Sequence, residues 1–218
     1  MIKLNNNEIS FALITLAYWF FMLTDGALRM LVLLHFHVLG YTPLQLAYLF
    51  LLYEFLGMIT NLGAGWIAKK FGLNTTLFAG IILQIFSLMI LTQLDQTWNI
   101  TFSVLFVMFT QGLSGIAKDL TKMSAKSSVK LLSPNKNSKL FKWVSLLTGS
   151  KNAVKGFGFL TGALLLSFTS FETSLIMMAL ILALMFILLL INLKTNISEV
   201  NKNSKFSEVF SKNKDINY

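Results

Sequence analysis

The sequence predicts an all-α membrane protein with six transmembrane helices. Three observations carry that prediction. Of 218 residues, 55% are hydrophobic and only 12% charged, against about 25% charged in an ordinary soluble domain. The mean hydropathy is +0.69. Six stretches each supply the roughly 20 mostly apolar residues that a helix needs to cross hydrocarbon.

The first span is expected at 11–35. Its apolar run from about Ser10 to Leu34 is preceded by a single basic residue, Lys3, and is followed by no small-residue cleavage site. It therefore reads as a permanent span and not as a signal peptide. The second is expected at 44–68 and the third at 76–94. The fourth starts near residue 100, and its end has two readings. It either stops before an interfacial helix that binds anionic lipid through Lys118, Lys122, Lys126 and Lys130, or it continues to about Leu132, just before Pro134. In the second reading, which we favour, Lys118 and Lys122 face a water-filled cavity, and Lys126 and Lys130 line its cytoplasmic mouth. A ladder of positive charge of this kind draws in an anion. The fifth span is expected at 141–168 and the sixth at 173–193. The sixth, "SLIMMALILALMFILLLI", is free of charge and suits a supporting role.

The connections alternate in charge. Residues 36–43, 92–99 and 168–173 lack Lys and Arg, whereas 118–142 holds seven lysines and the tail from 194 holds five. Lys and Arg collect on the cytoplasmic side. This predicts a multi-pass protein of the cell's inner (plasma) membrane with both termini in the cytoplasm. Residues 1–193 form the six-helix unit. Residues 194–218, rich in Asn, Lys and Ser, form a cytoplasmic linker expected to lead to a second half.

Five ionisable residues fall near the middle of the bilayer when depth is counted at about 1.5 Å per helical residue. They are Asp25 and Arg29 in the first span, Glu54 in the second, and Lys151 and Lys155 in the fifth. Each costs roughly 2.5–3.5 kcal/mol to insert, so together they indicate a paired or hydrated interior. Asp25 and Arg29 are four residues apart and can pair on one helical face. Lys151 and Lys155 share a face too, but they repel each other. They need either an anion or carboxylates from other helices, such as Glu54. The candidate substrate-binding residues are therefore Arg29, Lys118, Lys151 and Lys155. Asp25 and Glu54 are candidates for counter-ions or for coupling to protons, and Lys122 and Lys126 for the cytoplasmic mouth. Gly149, Gly156, Gly158 and Gly162 are read as packing residues, since small residues let membrane helices approach closely. His35 and His37 are read as interfacial surface residues.

No arrangement of side chains suits an enzyme. The absence of cysteine removes thiol chemistry and disulfides. The sequence carries no metal cluster, no phosphate-binding glycine loop and no sign of a cofactor or of nucleic-acid binding. The expected partners are the lipid bilayer and an anionic small molecule, with protons as a coupling ion.

"GAGWIAKKFG", residues 63–72, resembles the loop signature between the second and third helices of the major facilitator superfamily. Gly65 and Gly72 match, Lys70 stands for the arginine, and Lys69 takes the place of the usual acid. The resemblance implies that the six helices are one half of that superfamily's fold. Three longer strings are similar to its organoarsenical efflux permeases: the stretch beginning "YWFFMLTDGALRMLVLLHFH", "GLSGIAKDLTKMSAKSSVKLL" and "KWVSLLTGSKNAVKGFGF". That likeness implies export of 1-arseno-3-phosphoglycerate and resistance to arsenate. It also implies a twelve-helix transporter with the site between two halves, so the second half is expected to be missing from this chain or replaced by a homodimer. Two other functions stay open: an exporter of another organic phosphate or a drug, and a half-length membrane partner or scaffold that does not transport.

Overall fold

The computed structural model describes residues 6–95, 97–132 and 137–193. They form seven helices: α1 (Asn6–Val38), α2 (Pro43–Leu49), α3 (Leu51–Phe71), α4 (Leu73–Leu91), α5 (Ile100–Leu132), α6 (Asn137–Phe168) and α7 (Phe171–Asn192). The expected linker at 194–218 and the turn at Pro134 lie outside the described residues.

The expected second span is two helices. Thr42 caps α2 and forms a reciprocal capping box with Gln45, and Pro43 occupies the first turn, where its missing N–H costs nothing. The break comes at Phe50, whose N–H bonds back to Ala47 O at 3.2 Å. Glu54 lies in the first turn of α3 beyond this break. Gly72 separates α3 from α4 at φ 87°, a left-handed backbone that glycine adopts without steric cost. The fourth span continues to Leu132, so the lysine series belongs to α5 itself and not to a separate interfacial helix.

Among the described residues, five spans are long and apolar enough to cross a membrane: α1, α2 with α3, α4, α5 and α7. The expected fifth span, α6, is long enough at 32 residues, but Lys151, Lys155 and its small polar residues interrupt its apolar run, and it is not among these five. It packs along α1. The two backbones nearly touch: a Cβ at Gly158 would lie 2.4 Å from Leu23 O, and one at Gly162 would lie 2.2 Å from Ala27 O. These two glycines serve packing as expected. Gly149 and Gly156 do not, for a Cβ on either meets only open space.

The helices run alternately up and down. The start of α1 meets the end of α5 through Asn7 Nδ2, which donates to Leu132 O. It meets α6 through Phe11, which stacks on Trp143 with ring centroids 4.1 Å apart. At the opposite end, His35 stacks on Phe171 at 4.1 Å. His35 is thus partly buried against α7, and only His37 is the exposed residue that the sequence suggested. The core gathers Tyr18, Phe21, Leu28 and Leu31 of α1 with Leu77, Ile81 and Leu88 of α4 and Leu175, Leu182 and Leu189 of α7. Large apolar side chains such as Phe55, Met58, Leu62, Leu180 and Leu184 remain exposed. In a bilayer they face lipid or a further protein surface.

Candidate functional site

Four helices bring charged side chains together. On α1, Asp25 is fully buried. Its Oδ2 lies 2.9 Å from Lys155 Nζ of α6, and its Oδ1 accepts the hydroxyl of Tyr53 from α3. One turn along α1, Arg29 donates to Glu54 of α3. Lys118 of α5 lies 3.8 Å from the other Glu54 oxygen and 3.7 Å from Asp119 Oδ2. Lys122, also on α5, binds Asp119 Oδ1 at 2.8 Å and approaches Asn61 of α3 at 3.5 Å.

The i,i+4 pairing of Asp25 with Arg29 is therefore replaced by two pairings across helices. The cause is the close crossing of α1 and α6. A Cβ at Gly26 would lie 2.6 Å from the backbone oxygen of Lys155, so the Lys155 side chain starts beside Asp25 and reaches it directly. Arg29, one turn further out, faces α3 and meets Glu54.

Two glycines shape the other side of the site. A Cβ at Gly115 would lie 2.2 Å from Tyr53 O, and one at Gly57 would lie 2.8 Å from Asp119 Oδ2. The first lets the backbones of α3 and α5 touch behind Tyr53. The second leaves room for a nearly buried carboxylate between two lysines. The Tyr53 ring carries Arg29 at 3.9 Å and Lys118 at 4.2 Å from its centroid. Cations are attracted to an aromatic face at this range.

Lys151 differs from the rest. It is partly buried, and among the described residues no ion pair or hydrogen bond ties down its ammonium. Lys126 is partly buried on the same side. A cavity of about 260 Å³ is lined by Arg29, Met30, Leu33, Phe50 and Phe159.

Arg29, Glu54, Lys118 and Lys122 thus come together at one place, with Asp25 and Lys155 joined to them through Tyr53. Lys151 and Lys126 lie alongside. Sequence reasoning missed Asp119 and Tyr53. Asp119 had a visible signal, because it stands three residues before Lys122 inside the lysine series. Tyr53 had none, since its role depends on a contact with α1. Among the described residues, no group of His, Cys, Asp and Glu is placed to hold a metal ion.

The site is built from side chains on facing helices, with ionic pairs set between apolar spans, where charge is expensive unless paired or hydrated. A search of the curated proteins finds no match to the chain. The model of the Major Facilitator Superfamily matches residues 11–215 and so takes in every helix from α1 to α7. Together with the apolar helices and the short Gly72 turn between α3 and α4, this match establishes that the chain is a membrane transporter belonging to the Major Facilitator Superfamily.

Proposed function

We propose that the chain exports an anionic organoarsenical, 1-arseno-3-phosphoglycerate, and thereby confers resistance to arsenate. The observation that carries the anionic part of this reading is the charge balance of the interior group. Among the described residues, Arg29, Lys118, Lys122, Lys151 and Lys155 outnumber the three carboxylates of this group, those of Asp25, Glu54 and Asp119. Excess positive charge at membrane depth is stabilised by an anion, and charge-assisted hydrogen bonds from Arg and Lys suit phosphate, arsenate and carboxylate oxygens. The arsenical part rests on the similarity of the strings around Asp25, Lys118 and Lys151 to organoarsenical permeases.

In this reading Arg29, Lys118, Lys151 and Lys155 contact substrate, and Lys122 and Lys126 guide it from the cytoplasmic mouth. Asp25 and Glu54 balance charge and couple transport to protons. The lysine-free connections face outward, and both ends of the chain face the cytoplasm. The site is open on the side of Glu54, and a second six-helix half closes it, as alternating access requires two bodies moving about a shared site.

The test uses arsenate-sensitive cells that form the ester through their own glycolytic dehydrogenase. The chain is expressed together with a second half. Growth on arsenate with ester in the medium is expected, and both should be lost on Lys151→Gln. Resistance without ester in the medium would contradict the substrate.

A further inference from the structure

The geometry points to a single oxyanion subsite, formed by Arg29 and Lys118 against the Tyr53 ring, in which the Glu54 carboxylate is a built-in occupant that substrate displaces. The inference rests on the anionic reading above and deepens it.

The two carboxylate oxygens of Glu54 are divided between the two cations: Arg29 holds one, and Lys118 lies 3.8 Å from the other. Both cations also lie against the Tyr53 ring, 3.9 Å and 4.2 Å from its centroid. That ring is fully buried, its hydroxyl is spent on Asp25, and its backbone is pressed against Gly115. The platform is therefore fixed, and the two cations against it, already sharing one carboxylate, are pre-organised for a flat or tetrahedral oxyanion.

Glu54 is not fixed in the same way. Its side chain is 63% exposed, whereas those of Arg29 and Lys118 are 23% and 16% exposed. It lies in the first turn after the break at Phe50. A rotation about its own side-chain bonds takes the carboxylate out through the open side without disturbing the ring or the cations.

An empty clip would leave two unpaired cations at membrane depth, which is costly. Glu54 removes that cost between transport events, and it competes with any incoming anion. The ligand class follows from the occupant: a phosphate, arsenate or carboxylate group offering two oxygens to Arg29 and Lys118. Neutral compounds and cations gain nothing by displacing Glu54.

The experiment measures binding of 3-phosphoglycerate to the whole chain in phosphatidylcholine nanodiscs by calorimetry. Glu54→Gln removes the competing charge and keeps the shape, and it should tighten binding about 10-fold, equivalent to about 1.4 kcal/mol. Glu54→Asp keeps the charge on a shorter arm and should give a smaller gain. Adding Arg29→Gln or Lys118→Gln to Glu54→Gln should abolish the gain. The same variants in discs containing phosphatidylglycerol distinguish the source of the phosphate: a gain for 3-phosphoglycerate that survives the anionic lipid supports a soluble ligand. A gain that the lipid cancels keeps the subsite but gives it to a headgroup, overturning the substrate role. Unchanged or weaker binding by Glu54→Gln, with Arg29→Gln still weakening the parent chain, would refute the occupant while leaving the anionic reading intact. Unchanged binding in Arg29→Gln and Lys118→Gln would reject the anionic reading itself.

Discussion

Two ion-paired groups lie one helical turn apart, and they differ in what surrounds them. Asp25, Lys155 and the Tyr53 hydroxyl form the inner group, in which the carboxylate has no exposure. Arg29, Glu54 and Lys118 form the outer group, in which the carboxylate is mostly exposed. The inner group is locked by two helix crossings, α1 on α6 at Gly26 and α3 on α5 at Gly115. The outer group opens onto an unfilled side. The same chemistry thus yields a fully buried carboxylate in one place and a mostly exposed one in the other, and at the inner pair the α1–α6 crossing at Gly26 sets Lys155 beside Asp25.

The comparison breaks most severely if the inner pair is cut. Lys155→Gln leaves Asp25 buried without its cation and should destabilise the protein by about 3–5 kcal/mol. Thermal unfolding in detergent reads this, and combining it with Asp25→Asn should recover part of the loss. Lys118→Gln in the outer group should cost less, because Glu54 is mostly exposed and Asp119 keeps Lys122 as its partner. Equal losses in the two groups would erase the distinction.

The crossings themselves come next. Gly158→Ala and Gly162→Ala force a Cβ into the α1 backbone and should cost about 1–3 kcal/mol. Gly149→Ala and Gly156→Ala on the same helix should be neutral or slightly stabilising, because alanine is the better helix former. Tyr53→Phe then separates the two groups chemically. It takes a hydrogen bond from buried Asp25, at a cost of about 1–3 kcal/mol, and leaves the ring that carries Arg29 and Lys118. Stability should fall while affinity for 3-phosphoglycerate is retained.

The smallest effect on stability is expected at Lys151. Lys151→Gln should leave unfolding within about 0.5 kcal/mol of the parent. Export of anion should nevertheless fall roughly 10- to 150-fold, the value of a charge-assisted contact. Topology is checked on the same cysteine-free background. Single cysteines at Thr42, Thr97 and Thr173, all exposed, should react with an impermeant reagent on intact cells. The change at Thr42 also removes a helix cap, worth about 1 kcal/mol.

The spans were legible because hydropathy is a local property. The run 173–193 needs no tertiary information, and it forms α7. The extension of α5 to Leu132 was legible from spacing, since the lysines at 118, 122, 126 and 130 keep a helical period. The break at Phe50 was not, because neither proline nor glycine marks it. The buried charges were visible one by one as anomalies in apolar sequence. Their pairing was not, because it depends on how close two helices come. Gly26 and Gly158 are the residues that decide it, yet nothing local separates them from Gly156, which faces open space.

On the proposed function, this interior is an electropositive, water-reached site that draws anions toward Lys151. The direct measurement is the modification rate of Lys151→Cys by thiol reagents of equal size and opposite charge, with the chain in a membrane. The sequence has no other cysteine, so the signal belongs to that position. The negatively charged reagent should react at least about 10-fold faster, reflecting the fields of Lys118, Lys122, Lys126 and Lys155, and 3-phosphoglycerate should slow it. Equal rates for the two reagents, or no reaction with either, would contradict the account.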